Sequence, residues 1–340
     1  IEFNGEFDTK VFQLAATQVL QNTAALNMAF QLDDDTSTQS IISPDKFKNN
    51  SLVIKDFSDQ GNGYEQAVAF FKSDLMKILN IKLGQNYRHT LIKVADNHYL
   101  WNLSIHHIAC DGYSFVLLVD AVLANYQAQL AKEAPVKAPF SDYSLVKLED
   151  EEYRNSKYFE KDLNYWQAAF AQVKQVRSIN TKPVEISGTA LKVSSQISIE
   201  VVDSLEAIAK SYQVTWTDLL ITLVASMIHQ YTGVKQTVLG MPVSSRMGSK
   251  SVNVPCMQMN IVPVIIDFSD AKIFENLLVQ ISKQIQRSRR HFRARYEDLK
   301  NELARNTTAN RLFGAVVNII PFERNMVLDN CILKNHTLSF

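Results

Sequence analysis

Apolar residues along this chain follow two alternating periods, one of about 3.6 residues and one of 2. Phe12, Ala16, Val19 and Leu20 repeat at helical spacing and predict a helix over Val11–Gln21, entered through Asp8 as its cap. Leu91–Val94 and Tyr99–His107 predict two strands, joined at Ala95-Asp96-Asn97-His98 where Asp and Asn suit a turn. Tyr113–Leu130 follows as a long amphipathic helix. Lys132–Pro139, with two prolines and few large apolar residues, is a loop that opens a connector. Asp142–Phe170 is charged and helical in character and leads towards the second half. There the pattern resumes. Leu191, Val193, Ile197 and Ile199 alternate as on a strand, and Val201–Tyr212 has helical spacing. Thr217–Tyr231 predicts a buried helix through Leu219, Leu220, Leu223, Val224, Met227, Ile228 and Tyr231, closed by Gly233. Strands over Thr237–Val243 and Asn260–Phe268 and a helix over Ile273–His291 complete the series. The pattern predicts two α/β lobes of similar build without a clean sequence repeat. The boundary falls between residues 150 and 175, so the lobes are taken as 1–160 and 161–340.

At 340 residues the chain exceeds one average domain. Its 46% hydrophobic and 21% charged residues are ordinary for a globular protein with a core. Zero net charge gives no pull towards a polyanion, so no nucleic acid is expected as partner. Cys110, Cys256 and Cys331 are odd in number and widely spaced, which argues against a disulfide framework or a zinc site and fits a reducing, cytoplasmic setting. Leu219–Ile228, the longest mainly apolar stretch, is about half of a membrane span, and no membrane partner is expected. Both ends read as cuts through structured sequence.

Candidate chemistry gathers at His106-His107-Ile108-Ala109-Cys110-Asp111-Gly112. On a strand reaching His107, Tyr99, Trp101, Leu103, Ile105 and His107 share one face, while Asn102, Ser104 and His106 point the other way. The two histidines then have different tasks. Asp111 and Gly112 lie in the turn before the helix. A histidine at a strand end can present a ring nitrogen to a nucleophile, and backbone N–H groups at a helix start can stabilise an oxyanion. A structural histidine pair is the bland alternative, but two adjacent histidines, an Asp four residues on and a Gly at the turn favour function. A metal site from His106, His107 and Asp111 is disfavoured, because adjacent strand residues diverge and nothing elsewhere completes a shell.

The heptapeptide resembles the HHxxxDG signature of condensation domains of nonribosomal peptide synthetases, with all four fixed positions present, and Tyr113-Ser114-Phe115 follows it as in that family. Epimerisation domains carry a version of the motif, and chloramphenicol acetyltransferases carry HxxxD. The resemblance extends along nearly the whole chain. Leu26-Asn27-Met28-Ala29-Phe30 is similar to an LRxxF stretch, with Asn27 in place of Arg. Phe140-Ser141-Asp142-Tyr143 resembles the crossover motif, and Tyr165-Trp166 matches its later part. Gly240-Met241-Pro242-Val243-Ser244-Ser245-Arg246 resembles GxPxxxR, and Asn260-Ile261-Val262-Pro263-Val264 the strand after it. Arg290-His291, Tyr296–Leu299 and the run Leu312–Phe322 are similar to the siderophore-type subgroup, whose donors are commonly aryl acids or aryl-capped peptides. The family's opening SxAQxRLW motif and final strand and helix are not seen, so the fold is expected to be truncated at both ends.

The resemblance implies a chloramphenicol-acetyltransferase-like fold, a V-shaped pseudo-dimer of two α/β lobes. It implies amide formation between a carrier-bound acyl thioester and an amine, with donor and acceptor carrier proteins as partners and adenylation and carrier domains adjoining. No cofactor is expected on the domain itself; substrates arrive on phosphopantetheine. His107 is the expected catalytic residue. Asp111 is expected to pair with Arg246 by a bidentate bond that holds the loop aiming His107, and His106, Gly112 and Asn260 are expected to support the site. A stand-alone CoA-dependent acyltransferase of the same fold and an inactive, partner-recruiting domain are the alternatives. Heterocyclisation is disfavoured because that subgroup carries DxxxxD, and epimerisation because of the Leu312–Phe322 run. His98 and His229 are taken as incidental, and the run Arg287, Arg289, Arg290, Arg293 and Arg295 as a solvated face; docking of an acidic carrier protein is the sharper reading of that run.

Overall fold

The computed structural model describes residues 1–32, 37–43, 51–136, 140–173, 176, 179, 191–269, 273–304, 311–320, 327–328 and 331–336. The elements begin β1 (Glu2–Gly5), α1 (Thr9–Gln21), β2 (Met28–Leu32), β3 (Ser37–Ile41), β4 (Val53–Asp56) and α2 (Gly63–Leu75). Next come β5 (Tyr87–Ala95), β6 (His98–Ile105), α3 (Gly112–Leu130), α4 (Ser144–Arg154) and α5 (Lys157–Phe170). They continue as α6 (Ile199–Ser211), α7 (Trp216–Thr232), β7 (Gln236–Ser244), β8 (Met259–Asp267), α8 (Phe274–Arg289) and α9 (Tyr296–Ala304). Three short strands follow, β9 (Ala315–Val316), β10 (Val327–Leu328) and β11 (Cys331–Lys334).

The chain packs as two compact α/β units that are not continuous in sequence. The first holds Ile1–Glu149, Arg246–Gln258 and the strands β10 and β11; the second holds Asp150–Ser245 and the chain from Met259 through β9. This division differs from a single cut at 160/161, and burial explains why. Val254 and Cys256 bury against Ala25, Tyr143 and Val146, and Leu328 and Cys331 join the main core of the first unit.

In the first unit the strands run in the order β10-β11-β1-β6-β5-β4. The β5–β6 hairpin is antiparallel and turns through Asp96 and Asn97, the latter at φ 53, a left-handed conformation that Asn tolerates. Tyr87, Leu91, Tyr99 and Trp101 pack on one side with Phe12, Leu20, Leu118 and Val122 of α1 and α3. Ile92, Val94 and Leu100 pack on the other with Ala67 and Phe71 of α2. Period-2 alternation therefore supplies apolar side chains to both faces of the sheet. Asp8 caps α1 by accepting from the N–H groups of Lys10 and Val11 at 2.9 and 3.0 Å. Asn27, standing where the resembling pattern has Arg, donates Nδ2 to the carbonyls of Gln21 and Thr23 at 2.8 and 2.9 Å and so closes the same helix.

In the second unit β7 pairs antiparallel with β8 and parallel with β9. Its core joins Trp166 and Phe170 of α5, Ile221, Ala225 and Ile228 of α7, and Ile281 and Ile285 of α8 to Val238, Val262 and Val264 of the sheet. Two sequence expectations change here. The segment Leu191–Ser198 is irregular, Leu191 and Val193 are 102% and 95% exposed, and Ile199 opens α6; alternation does not make a strand without a ladder partner, and none is found among the described residues. Helix α7 buries Asp218, Leu219, Ile221, Thr222, Ala225 and Ile228, whereas Leu223, Met227 and Tyr231 are exposed. The apolar set is wide enough for two faces, and packing selects the one bearing the smaller residues. The connector is helical as expected and is divided into α4 and α5, because Ser156 caps α5 with its own hydroxyl after a break at Asn155. Lys137–Pro139 of the predicted loop and Pro321–Phe322 of the Leu312–Phe322 run lie outside the described residues.

Candidate active site

Strand β6 ends at Ile105, two residues before His107, and a turn begins. The His106 N–H donates to the Asn86 carbonyl at 2.8 Å, and the Ala109 N–H donates back to the His106 carbonyl at 3.0 Å. The predicted strand face is correct for Tyr99, Trp101, Leu103 and Ile105, which all pack into one core, but it does not reach His107. The histidines divide their tasks for a different reason. The Ile108 N–H donates to Nδ1 of His106 at 3.1 Å; an amide N–H can only donate, so Nδ1 accepts and the His106 proton sits on Nε2. Partial desolvation, and secondarily the neighbouring His107, lowers the pKa of His106. His106 is thus a member of the turn. His107 is exposed, and neither ring nitrogen has a hydrogen-bond partner among the described residues. Its ring is available to a ligand.

Asp111 caps α3 through Oδ1, which accepts from the Ser114 N–H at 2.8 Å. Gly112 is the first helical residue and has no left-handed φ; a Cβ built on it would meet nothing within 4 Å. Neither backbone strain nor packing demands glycine there.

Beneath the turn Asp111 and Arg246 meet, 5% and 3% exposed. The pairing departs from the expected fork: a single guanidinium nitrogen, Nη2, lies 3.2 and 3.1 Å from the two carboxylate oxygens. It also donates to Ser114 Oγ at 2.6 Å and to the Cys256 carbonyl at 2.7 Å. Nη1 donates to the carbonyls of Val252 and Val254 at 3.1 and 2.8 Å. Arg246 therefore gathers the segment that follows it and anchors that segment to Asp111. The Gln258 N–H completes Asp111 by donating to Oδ2 at 3.0 Å. Ser114, wholly buried, donates to the Cys256 carbonyl at 2.7 Å and accepts from its N–H at 2.9 Å. The Arg246 guanidinium lies over the Tyr113 ring at 5.1 Å. Both carboxylate oxygens of Asp111 and both terminal nitrogens of Arg246 have directed partners, which favours a buried pair that holds geometry. Burial, then the nearby Asp111 carboxylate, pushes the Cys110 thiol well above its ordinary range, so it is a packing residue and no nucleophile.

The first unit thus brings His106, His107, Asp111, Gly112 and Arg246 together. Asn260 belongs to the second unit. There its Nδ2 donates to the carbonyls of Phe292 and Ala294 at 2.6 and 2.8 Å, and its Oδ1 accepts from the Tyr296 N–H at 3.2 Å. It is a staple between β8 and the chain entering α9. Sequence reading missed Ser114, Cys256 and Gln258 as members of the knot. Ser114 had a local signal, standing three residues after a capping Asp; Gln258 had none.

The other polar residues singled out in the sequence serve the frame. His98 Nε2 lies 2.8 Å from Glu2 Oε1, and His229 stacks on Phe268 at 4.2 Å. Of the arginine run, Arg293 covers the Tyr153 ring at 4.4 Å and Arg295 lies 3.7 Å from Asp150, while Arg287, Arg289 and Arg290 are exposed. Among the described residues no helix is long and apolar enough to cross a membrane, and no three His, Cys, Asp or Glu residues form a metal-binding group.

Comparison with known proteins decides the family. The condensation-domain family model matches residues 1–331. The chain belongs to the condensation-domain family. Curated relatives include a dimodular nonribosomal peptide synthase of Bacillus subtilis, 30% identical over 340 residues, covering 100% of this chain and 14% of the relative. Another is the isonitrile lipopeptide synthase of Streptomyces coeruleorubidus, 29% identical, covering 96% of this chain and 22% of the relative. Enterobactin synthase component F of Escherichia coli is 24% identical, covering 100% and 26%. The condensation domain thus spans between 14% and 26% of the length of these relatives. Among solved structures, the first condensation domain of the CDA synthetase superposes with a TM-score of 0.83 at 23% identity, covering 97% of this chain and 76% of that one. The starter condensation domain of rhizomide synthetase gives 0.85 at 23% identity, covering 97% and 74%. The fold is that of condensation domains, a family of amide-forming acyltransferases.

Proposed function

We propose that this domain joins an acyl group, held as a thioester on a donor carrier protein, to the amine of an acceptor held on a second carrier, with His107 as the catalytic residue. The amine nitrogen attacks the thioester carbon, the C–N bond forms and the C–S bond breaks. The donor pantetheine leaves as a thiol, and the proton lost by nitrogen ends on sulfur. An α-amine with a pKa of about 8 is largely protonated at neutral pH, so a positioned group that holds the amine in line accelerates the step. The observation that carries this reading is the contrast within the motif. His106 and His107 are both exposed, but Nδ1 of His106 is held by the Ile108 N–H whereas neither ring nitrogen of His107 has a partner among the described residues, and the turn is underpinned by a buried Asp111–Arg246 knot.

In this reading the domain holds no resident cofactor, works in the cytoplasm, and adjoins adenylation and carrier domains in a longer polypeptide. An aryl donor is favoured by the Leu312–Phe322 sequence run and by the presence of enterobactin synthase component F among the relatives. The deciding experiment compares wild type and His107→Ala with loaded donor and acceptor carriers. Loss of most amide formation with an unchanged melting temperature supports the assignment, and near-normal turnover in the variant sinks it. Running aryl and aliphatic donors side by side tests the donor class. Faster acyl transfer from soluble acyl-CoA than from a carrier would favour the stand-alone acyltransferase instead.

A further inference from the structure

The stretch Arg246–Gln258 contains only turns and irregular backbone, yet Ser251, Val254, Cys256 and Gln258 are buried. Such a segment keeps one conformation only when its polar groups find fixed partners, because each ordered residue costs conformational entropy. The inner end finds them on Arg246, Asp111 and Ser114. The outer end finds them on Glu149, in α4. Glu149 Oε1 accepts from the Lys250 N–H at 2.6 Å. Its Oε2 accepts from Ser249 Oγ at 2.6 Å, Ser251 Oγ at 2.5 Å and the Ser251 N–H at 3.2 Å. Gly248, at φ +74, supplies the left-handed step before the two converging N–H groups. The turn is an anion nest filled by the protein's own carboxylate.

The clamp is continuous with the knot under the motif. Gln258 Nε2 donates to the Ser251 carbonyl at 3.2 Å, and the Gln258 N–H donates to Asp111 Oδ2 at 3.0 Å. Ser251, Gln258 and Asp111 are 2%, 4% and 5% exposed, so water does not compete freely for these links. We propose that Glu149 is a positioning residue for condensation: through Ser251 and Gln258 it sets where Asp111, and with it the turn bearing His107, stands. The inference rests on the assignment of the chemistry to His107. Glu149 itself meets no reacting atom.

The test compares Glu149→Ala, Glu149→Gln and Glu149→Asp with wild type. Amide hydrogen exchange is read at Gln258 and Ser114, and kcat and KM are measured with loaded carriers. In Glu149→Ala both amides exchange about tenfold faster and kcat falls about tenfold, while the donor KM stays within about twofold. Formate, a free carboxylate able to refill the nest, restores part of both. Glu149→Gln behaves like Glu149→Ala, because its amide NH2 faces donors, and Glu149→Asp, keeping the charge on a shorter arm, falls between. Unchanged exchange and kcat in Glu149→Ala overturn the proposal. So do wild-type behaviour in Glu149→Gln and a loss that formate leaves untouched. Hydrogen exchange needs no substrate. A wild-type chain that forms no amide would therefore refute the proposed function while the exchange data still judge the coupling.

Discussion

Replacing either partner of the buried Asp111–Arg246 pair tests whether the knot beneath the motif determines the stability of the first unit. Asp111→Asn keeps shape and volume but removes the charge and turns one acceptor into a donor. The Ser114 N–H keeps its acceptor only if the amide oxygen faces it, and the new NH2 then faces the Gln258 N–H and Arg246 Nη2. Arg246 is left as an uncompensated cation, 3% exposed. Removing one member of a buried pair costs about 3–5 kcal/mol. Arg246→Met loses that interaction and also orphans the carbonyls of Val252 and Val254, while the Cys256 carbonyl keeps the Ser114 hydroxyl. It therefore lies at or above the top of the range, since each buried unsatisfied acceptor costs about 1–3 kcal/mol before relaxation. For a domain of this size about 1 kcal/mol moves the melting temperature by about 2–4 °C, so Asp111→Asn lowers it by about 6–20 °C.

The double variant gives the sharper result. With both charges gone nothing buried remains uncompensated at the pair itself. The double mutant then melts within about 1 kcal/mol of Arg246→Met alone and well short of the sum of the singles. Urea titration followed by circular dichroism measures all four proteins. Two outcomes refute the reasoning: single variants within about 1 kcal/mol of wild type, or strict additivity. Either would mean that the carboxylate and guanidinium are satisfied independently by their backbone partners.

Glycines divide sharply in expected effect. A Cβ on Gly63 would stand 2.5 Å from the Phe57 carbonyl oxygen and 2.6 Å from that of Val94; Gly63→Ala costs about 1–3 kcal/mol, and an unchanged melting curve would contradict the packing of α2 on β5. Gly112→Ala, with open space around it, leaves stability within about 0.5 kcal/mol, and a clear loss on calorimetry would show that the start of α3 is packed more tightly than the structure has it. The three cysteines are free and buried, and burial is the main cause raising each thiol pKa. Labelling with a disulfide reagent is therefore slow in the native domain and rises steeply through the urea transition, and rapid native labelling of Cys110 would place the motif turn in the open. For Glu149, burial raises the pKa but is outweighed by the hydroxyls of Ser249 and Ser251 and the N–H groups of Lys250 and Ser251, leaving it below the ordinary value. A depressed carboxylate stabilises above its unfolded pKa of about 4.3 and loses that contribution as pH falls through the folded value. The stability gap between wild type and Glu149→Gln is thus full at pH 7 and closes below about pH 4, and a gap constant with pH would deny Glu149 its charge-dependent role.

The sequence carried most of the frame and only part of the site. Helices with strong periodicity and caps, such as α1 behind Asp8 and α3 behind Asp111, lie where local chemistry puts them. The β5–β6 hairpin was legible from its Asp-Asn turn. The misreadings share one cause. Alternation over Leu191–Ile199 and the broad apolar set of α7 state what a segment can bury, and only tertiary packing decides what it does bury. The same limit applied at the site. His106, His107, Asp111 and Gly112 are contiguous, and family likeness supplied Arg246. Gln258 and Glu149 reach the knot through a segment without periodicity, where no pattern marks which amide or carboxylate will find a partner.

Placing His107 on a turn rather than on the strand changes what must hold it. On a strand the pleat fixes the direction of each side chain and the ladder supplies the rigidity. Past Ile105 that support ends, and orientation depends on the His106 Nδ1 bond to Ile108 N–H, the Ala109 N–H bond to the His106 carbonyl, and the Asp111 cap on α3. Productive geometry tolerates errors of only about 0.5 Å, so the cap must itself be immobile. Its anchor, Arg246, comes from 135 residues further along the chain. The turn therefore acquires its final shape only when that distant segment has docked. Activity should then vanish before secondary structure as the first unit loosens in mild urea, with protection lost first at the Ser114 and Gln258 amides and only later in the β5–β6 hairpin. Coincident loss of turnover, knot protection and hairpin protection would instead make the site and the sheet one cooperative unit, and the rigidity of His107 a property of the whole fold.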